Sequence, residues 1–364
     1  MSISSLTTST FRNLKYTSIT LHPKLNLVTG DNGSGKSSLL ESIFFLGHGK
    51  SFRTTKIENL INSSSDHFVV SVKDDRNYQL GVKRDKSGQV DIKINGDSKY
   101  RLSDLAKNIA VQVITPETFR LFFGGPKERR RFIDLGLFHV EHQYADLWRE
   151  FRKVLIQRNA CLKNKISGQQ FDYWSDVFCR LSTQIAEIRV GYVESLSTEI
   201  HRWLNILLPN LSEKIVLHYS QGWNSKKPIT EVLTENFERE RKFGYSLFGA
   251  HKFDVKFGYQ KTNIDQVLSR GQQKLFLMAL TIAQANLIYH SQNIAPIILI
   301  DDIGAELDNN SRTALAKAID ELNCQLFITA IDNNALEPII PEDKNYKMFH
   351  VEHGEITEIT QGKI

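Results

Sequence analysis

Gly30-Asp31-Asn32-Gly33-Ser34-Gly35-Lys36-Ser37 is the stretch that decides the fold. It fits G-x-x-x-x-G-K-[ST] and stands in the context that pattern needs. An apolar run, Leu25 to Thr29, reads as the strand before it. Leu39, Leu40, Ile43, Phe44 and Leu46 recur at helical spacing after it. Gly33 and Gly35 let the backbone wrap so that successive N–H groups converge on phosphate oxygens. The helix that follows adds its positive N-terminal end. Lys36 reaches β- and γ-phosphates, and the Ser37 hydroxyl is a ligand for Mg²⁺. Gly30 to Ser38 (Gly30, Asp31, Asn32, Gly33, Ser34, Gly35, Lys36, Ser37 and Ser38) is therefore the expected ATP-binding segment.

Far downstream, Ile297-Ile298-Leu299-Ile300-Asp301-Asp302 reads as a buried strand ending in two carboxylates. Acids there are costly to hold near the core unless they are paired, and the plain alternative is two surface acids capping a strand. Beside a phosphate loop, Asp301 is the expected Mg²⁺ partner and Asp302 the group that orients or deprotonates an attacking water. Lys36, Asp301 and Asp302 form the expected catalytic set. Between the two elements, Leu268-Ser269-Arg270-Gly271-Gln272-Gln273-Lys274 opens an apolar helix, and Ala305-Glu306-Leu307-Asp308 follows the acidic strand. As an isolated residue Ser269 is an ordinary helix N-cap. In this order the segments resemble the signature motif and D-loop of ABC-type ATPases. That resemblance implies that Ser269, Arg270, Gly271 and Gln272 act in trans on ATP held by a second copy, with Asp308 in the D-loop. From Lys36 to Ser269 is 233 residues, which suits one inserted helical lobe. It is long for a compact transport cassette and short for a coiled-coil arm.

The chain has 364 residues, 41% of them hydrophobic and 24% charged, the composition of an ordinary globular protein with enough length for two or three domains. Three cysteines, Cys161, Cys179 and Cys324, show no C-x-x-C spacing, so neither a disulfide framework nor a zinc knuckle is expected. No apolar run reaches the ~20 residues that span a membrane. The Ser/Thr-rich start, Met1 to Asn13, lacks the pattern of a secretory signal, and a cytoplasmic protein is expected. A net charge of +5 permits a nucleic-acid partner without requiring one.

Strands are expected at Tyr16 to Leu21 and Leu25 to Thr29. Apolar and polar residues alternate over 67–115, where antiparallel strands and a hairpin turn at Asn95-Gly96 are expected. From about Arg129 the period becomes helical, with one long helix of about 35 residues ending before Pro209. Residues 210–265 read as mixed strands and loops. Buried strands at Ile297 to Ile300 and Gln325 to Thr329 and a hairpin over Lys347 to Ile359 follow helical spacing from Gly271. The expected fold is α/β, a P-loop ATPase lobe of the ABC/SMC-head type. It combines a mixed sheet, an antiparallel β-subdomain and an inserted helical lobe. The expected boundaries are 1–128, 129–245 and 246–364.

Several stretches together resemble the RecF family of bacterial recombination mediator ATPases. They are Phe11-Arg12-Asn13, Gly49-Lys50-Ser51-Phe52-Arg53-Thr54, Thr115-Pro116-Glu117, Gly124-Gly125-Pro126, Arg129-Arg130-Arg131-Phe132, Asp134, Gly249-Ala250-His251-Lys252 and Asp254. The resemblance implies an ATP- and Mg²⁺-sandwiched homodimer that clamps gapped or single-strand/double-strand junction DNA. It also implies partners RecO and RecR, indirect work on RecA loading, a link to SOS induction, and no membrane. Weak DNA-dependent ATP hydrolysis, with ATP mainly a dimerisation switch, belongs to the same expectation. Departures from the family pattern are Ala250 and Lys252 where Pro and Arg are usual, Lys274 for Arg, and Asp302 where many ABC enzymes have Glu. Ala330 and Ile331 stand where a switch His is common. For DNA contacts, residues 120–158 carry nine Lys/Arg against five Asp/Glu. Arg129, Arg130, Arg131 and Lys56 are candidates for phosphate contact, with intramolecular pairing to acids such as Glu128 or Asp134 as the alternative. An ABC-type ATPase not acting on DNA and a P-loop kinase are the other classes compatible with the phosphate loop.

Overall fold

The computed structural model describes residues 2–98, 100–115, 125–260, 262–292, 294–319, 321–341, 343 and 345–359, with 305, 306 and 309 by their backbone alone. Pro116, Glu117 and Gly124 of the family stretches lie outside the described residues. In chain order the elements begin β1 (Ile3–Ser9), β2 (Thr17–Thr20), β3 (Leu25–Thr29), α1 (Lys36–His48), β4 (His67–Asp74), β5 (Gln79–Asp85), β6 (Val90–Ile94), α2 (Leu102–Asn108) and β7 (Val111–Ile114). Then come α3 (Pro126–Val140), α4 (Tyr144–Lys163), α5 (Gln169–Leu207), β8 (Ile215–Ser220), α6 (Ile229–Glu235), α7 (Phe237–Phe243), β9 (Asp254–Tyr259) and β10 (Thr262–Asn263). The chain closes with α8 (Arg270–Gln292), β11 (Ile297–Ile300), α9 (Ile303–Glu306), α10 (Asn309–Ile319), β12 (Gln325–Thr329), β13 (Lys347–Glu352) and β14 (Glu355–Ile359).

Two compact units form. One holds Met1–Arg120, Arg202–Asn210 and Leu268–Ile364; the other holds Leu121–His201 and Leu211–Val267. The boundary expected at 246 falls at 268 in this division, because β9 pairs with β8 along its whole length, Ile215 opposite Tyr259 to Ser220 opposite Asp254. That pairing keeps residues 246–267 with the helical unit.

The first unit contains two sheets. A six-stranded sheet has the order β14-β13-β3-β12-β11-β7, with every pair parallel except the β13–β14 hairpin. Its middle strands β3, β11 and β12 are buried at every position, as continuous apolar runs covered on both faces must be. A five-stranded antiparallel sheet has the order β2-β1-β4-β5-β6. Alternation places Phe68, Val70, Val72, Leu80, Val82, Ile92 and Ile94 in one core with α1. There Phe11, Phe45 and Phe68 meet edge to face.

Three local expectations are corrected. Residues 3–9 form β1, paired on both sides by β2 and β4, with Ile3, Leu6 and Thr8 buried despite the Ser/Thr-rich composition and a register shift between Ile3 and Ser5. Residues 102–108 are helical, and the chain then enters the other sheet: β7 runs parallel to β11, Val111 opposite Ile297. Asn95-Gly96 makes a tight turn closed by an Ile94–Asp97 bridge at the end of β6, so it joins no further strand of that sheet.

The second unit packs α3 to α7 with the sheet β10-β9-β8. Its interior holds two arginines. Arg158 donates to Glu240 and Ser246, each at 2.6 Å. Arg189 donates to the Ala250 carbonyl at 2.6 Å and to Asp134 at 3.1 Å, and lies over the Phe253 ring at 3.5 Å. Such charges are tolerable inside only because every one is paired. Two short helices, α6 and α7, occupy part of the region expected to be strands and loops.

Candidate functional site

The loop after β3 takes the path its glycines permit. Gly30 and Gly35 sit at φ 148° and 129°, where a side chain is strained. A Cβ on Gly30 would also lie 2.3 Å from the Val351 carbonyl oxygen, and one on Gly35 3.0 Å from Leu14 Cδ2. The loop is held from outside as well. Asn13 Nδ2 donates to the Gly33 carbonyl at 3.0 Å, the Ser38 hydroxyl donates to Asn13 Oδ1 at 2.7 Å, and the Gly354 N–H donates to the Ser34 carbonyl at 2.9 Å. One asparagine thus clamps the loop to the first turn of α1.

Lys36 opens α1 with only 7% of its surface exposed. Its ammonium donates to the carbonyls of Gly30 at 2.6 Å and Asp31 at 2.9 Å. Burial pulls its pKa below the usual lysine value, opposed by the charges of Asp302, Asp301 and Asp31. Next to it, the Ser37 hydroxyl lies 3.0 and 2.9 Å from the two carboxylate oxygens of Asp301. These residues are 264 apart in the chain, so the fold itself joins the phosphate loop to the end of β11. Asp301 is pushed up from the ordinary aspartate range by burial, while hydrogen bonds from Ser37 and Thr329 and the charge of Arg53 act the other way.

Thr329, at the end of β12 and fully buried, completes this arrangement. Its hydroxyl donates to Asp301 Oδ1 at 2.9 Å and accepts the Asp302 N–H at 2.8 Å. Asp302 itself has a left-handed backbone, φ 55° and ψ 63°, which costs a non-glycine residue of order 1 kcal/mol and is typical of working sites. The Ser34 Oγ and Asp302 Oδ1 atoms are shut off from solvent and have no hydrogen-bond partner among the described residues. Buried polar atoms normally have one.

The structure brings Lys36, Ser37, Asp301 and Asp302 together in one unit. Ser269 and Gln272 make no hydrogen bond to that group among the described residues. They form a capping box at the start of α8: the Ser269 N–H donates to Gln272 Oε1 at 2.9 Å and the Gln272 N–H to Ser269 Oγ at 3.3 Å. Ser269 and Arg270 are exposed. Asp308 is their neighbour, its carboxylate 4.0 Å from where a Cβ on Gly271 would sit. It caps α10 through the Ser311 N–H at 2.8 Å, and that bond leads the causes holding its pKa below the usual range.

The arginine triplet on α3 is partly committed inside its own unit. Arg129 grips Asp254 with two bonds of 3.1 and 2.9 Å, and Arg130 donates to the Phe253 carbonyl at 3.2 Å. Arg131 pairs with Glu128 at the surface, and Lys56 is exposed in the other unit.

Asn13 and Thr329 have no role in the sequence reading. Glu41 is a third such residue. It is a fully buried acid on α1, bonded by Arg12 and by the Ser51 hydroxyl. The visible signal for it was a lone charge in an apolar helix.

The RecF/RecN/SMC N-terminal domain family matches residues 2–357. The chain is 55% identical to the DNA replication and repair protein RecF of Colwellia psychrerythraea, covering 99% of this chain and 98% of that protein. It is 37% identical to the same protein of Pseudoalteromonas translucida, covering 98% and 99%. Among solved structures, a recombination mediator protein RecF with ATP, from the RecFOR pathway, superposes with a TM-score of 0.82 at 22% identity, covering 99% and 98%. An SMC head bound to the C-terminal winged-helix domain of ScpA superposes with a TM-score of 0.59 at 17% identity, covering 100% and 99%.

Proposed function

The chain belongs to the RecF family of DNA replication and repair proteins, and from that premise we propose that it is an ATP-driven DNA clamp. The single observation that carries the nucleotide half is the meeting of Ser37 with both oxygens of Asp301, at 3.0 and 2.9 Å. Residues 30–38 bind the phosphates of ATP through loop N–H groups, the Lys36 ammonium and the end of α1. The unpartnered hydroxyl of Ser34 supports a ligand of oxygen acceptors there.

Ser37 and Asp301 would hold Mg²⁺. A hydroxyl and a carboxylate are hard oxygen donors, the type this ion takes. Among the described residues no group of three or more His, Cys, Asp or Glu could hold a metal. Phosphate and water oxygens would complete the shell of this ion. When bound, Mg²⁺ neutralises charge on the phosphates. Asp302 orients the attacking water and takes its proton. Its backbone is fixed for this by the Thr329 hydroxyl.

Ser269, Arg270, Gly271 and Gln272 are exposed or half-exposed and make no hydrogen bond to the phosphate loop among the described residues. That supports the reading in which they close on ATP held by a second copy, with Asp308 beside them. Hydrolysis is slow in this account and opens the dimer. The relatives' names support DNA as the object, and the RecFOR pathway named for the superposed structure supports RecO and RecR as partners. Arg131 and Lys56 remain candidates for phosphate contact. Arg129 and Arg130 are assigned to shaping their own unit. Among the described residues no helix is long and apolar enough to cross a membrane.

The test is ATP binding by a Lys36→Ala variant, followed with a fluorescent ATP analogue and Mg²⁺. Loss of binding by about 100-fold or more is expected from removing a desolvated charge–phosphate contact. Wild-type affinity in a folded variant would end the assignment.

A further inference from the structure

The helical unit carries an exposed aromatic–lysine surface of which only Lys252 belongs to a stretch quoted above. Helix α7 ends at Phe243, and Gly244 turns the chain back in a left-handed C-cap, φ 75°, with its N–H bonded to the Glu240 carbonyl at 2.8 Å. The turn brings the rings of Phe243 and Tyr245 to 6.0 Å, tilted by 52°. Both face solvent, 53% and 43% exposed. The segment behind them is pinned: the Ser246 N–H donates to Asn159 at 2.8 Å and the Leu247 N–H to Glu240 at 2.7 Å. The rings are therefore presented on a fixed backbone.

One ammonium lies against a ring, and two further lysines lie at the same turn. The Lys252 ammonium lies 5.5 Å from the Tyr245 ring centroid. The Lys163 backbone and stem lie 3.5 to 3.9 Å from where a Cβ on Gly244 would sit. Lys242 adjoins Phe243 in sequence. Among the described residues none of these three lysines makes a salt bridge, and the nearby Glu240 carboxylate is spent on Arg158. Aromatic faces beside uncompensated ammonium groups are what unpaired bases and their phosphates require. A duplex keeps its bases stacked and gives such rings nothing to do.

We propose that Phe243, Tyr245, Lys163, Lys242 and Lys252 form a binding surface for single-stranded DNA, with bases stacked on the two rings and phosphates met by the lysines. This rests on the DNA-clamp reading and adds to it where the single strand of a gapped substrate lies.

The experiment compares anisotropy titrations of the full chain with a labelled oligothymidylate and with a duplex of equal length, at two salt concentrations. Phe243→Ala and Tyr245→Ala should each weaken oligothymidylate binding about tenfold and leave duplex binding nearly unchanged. Tyr245→Phe should keep wild-type affinity, which separates stacking from any folding defect. Lys252→Ala should lower the slope of log affinity against log salt by about 0.7 on the single strand. If both ring variants bind oligothymidylate as the wild type does, or if duplex binding falls in parallel, the surface is not a single-strand site while the clamp reading stands. A wild-type chain that binds neither DNA overturns both.

Discussion

Replacing Thr329 by Val tests the geometry at its least obvious point. The side chain keeps its shape and loses one hydroxyl. That hydroxyl is fully buried and makes two bonds, 2.9 Å to Asp301 and 2.8 Å from the Asp302 N–H. Losing a bond to a charged group costs about 1.5–3 kcal/mol, and the stranded Asp302 N–H adds about 1–3 kcal/mol. Ser37 still serves Asp301, so a net loss of about 3 kcal/mol is expected. For a unit of this size that lowers the melting temperature by about 6–12 °C. Asp301, already raised by burial, loses one of the hydrogen bonds that hold it down, so its pKa rises further. ATP affinity in the presence of Mg²⁺ should then fall more than affinity without it, and the gap should widen as the pH is lowered. Thermal unfolding followed by circular dichroism reads the first effect, and calorimetric ATP titration with and without Mg²⁺ reads the second. Thr329→Ser should restore both. A Thr329→Val protein with wild-type stability and unchanged Mg²⁺ dependence would refute the reasoning.

Asp302→Asn should leave ATP binding intact and slow turnover by about 100-fold or more if Asp302 takes the proton; an unchanged steady-state rate removes it from that role. Asn13→Ala should weaken ATP about tenfold through loss of the loop clamp, with less effect on unfolding; equal affinity in calorimetry would show that the loop holds its own shape. His139 and His251 are both depressed to about 4, chiefly by burial. The unfolded chain takes up protons near 6.5 and the folded chain refuses them until about 4, so stability is full above pH 7 and falls on acidification. Each ring costs about 2 kcal/mol by pH 5. Urea unfolding at pH 7.5, 6 and 5 reads this, and a profile with no downward slope contradicts it.

The parts of this site visible in the sequence are those where chemistry leaves little choice. A loop that wraps a phosphate shows in Gly33 and Gly35, while the close approach of Gly30 to Val351 shows only in the fold, and an acid at the end of an all-apolar strand stands out as Asp301 does. Asn13, Thr329 and Glu41 were hidden for a common reason. Each works through a contact far away in the chain, and a neutral Asn or Thr leaves no local mark. Strand β1 is obscured by its Ser/Thr composition and by the irregularity between Ile3 and Ser5, which breaks the period of two in its buried positions. Val111 to Ile114 reads as one more alternating strand until α2 is seen to carry the chain across to the parallel sheet. The grouping of residues 246–267 with the helical unit leaves no mark in the sequence, because β8 and β9 are separated by more than thirty residues that no local pattern bridges.

The central claim is that ATP closes two copies around the sites formed by Lys36, Ser37, Asp301 and Asp302. Light scattering with ATP, Mg²⁺ and a gapped duplex, with the Asp302→Asn variant to hold ATP uncleaved, tests it most directly. The account predicts that the protein mass doubles from 41.7 kDa on adding ATP. DNA should strengthen the doubling, and Ser269→Arg should abolish it without loss of ATP binding. A chain that binds ATP yet stays at 41.7 kDa with or without DNA would contradict it.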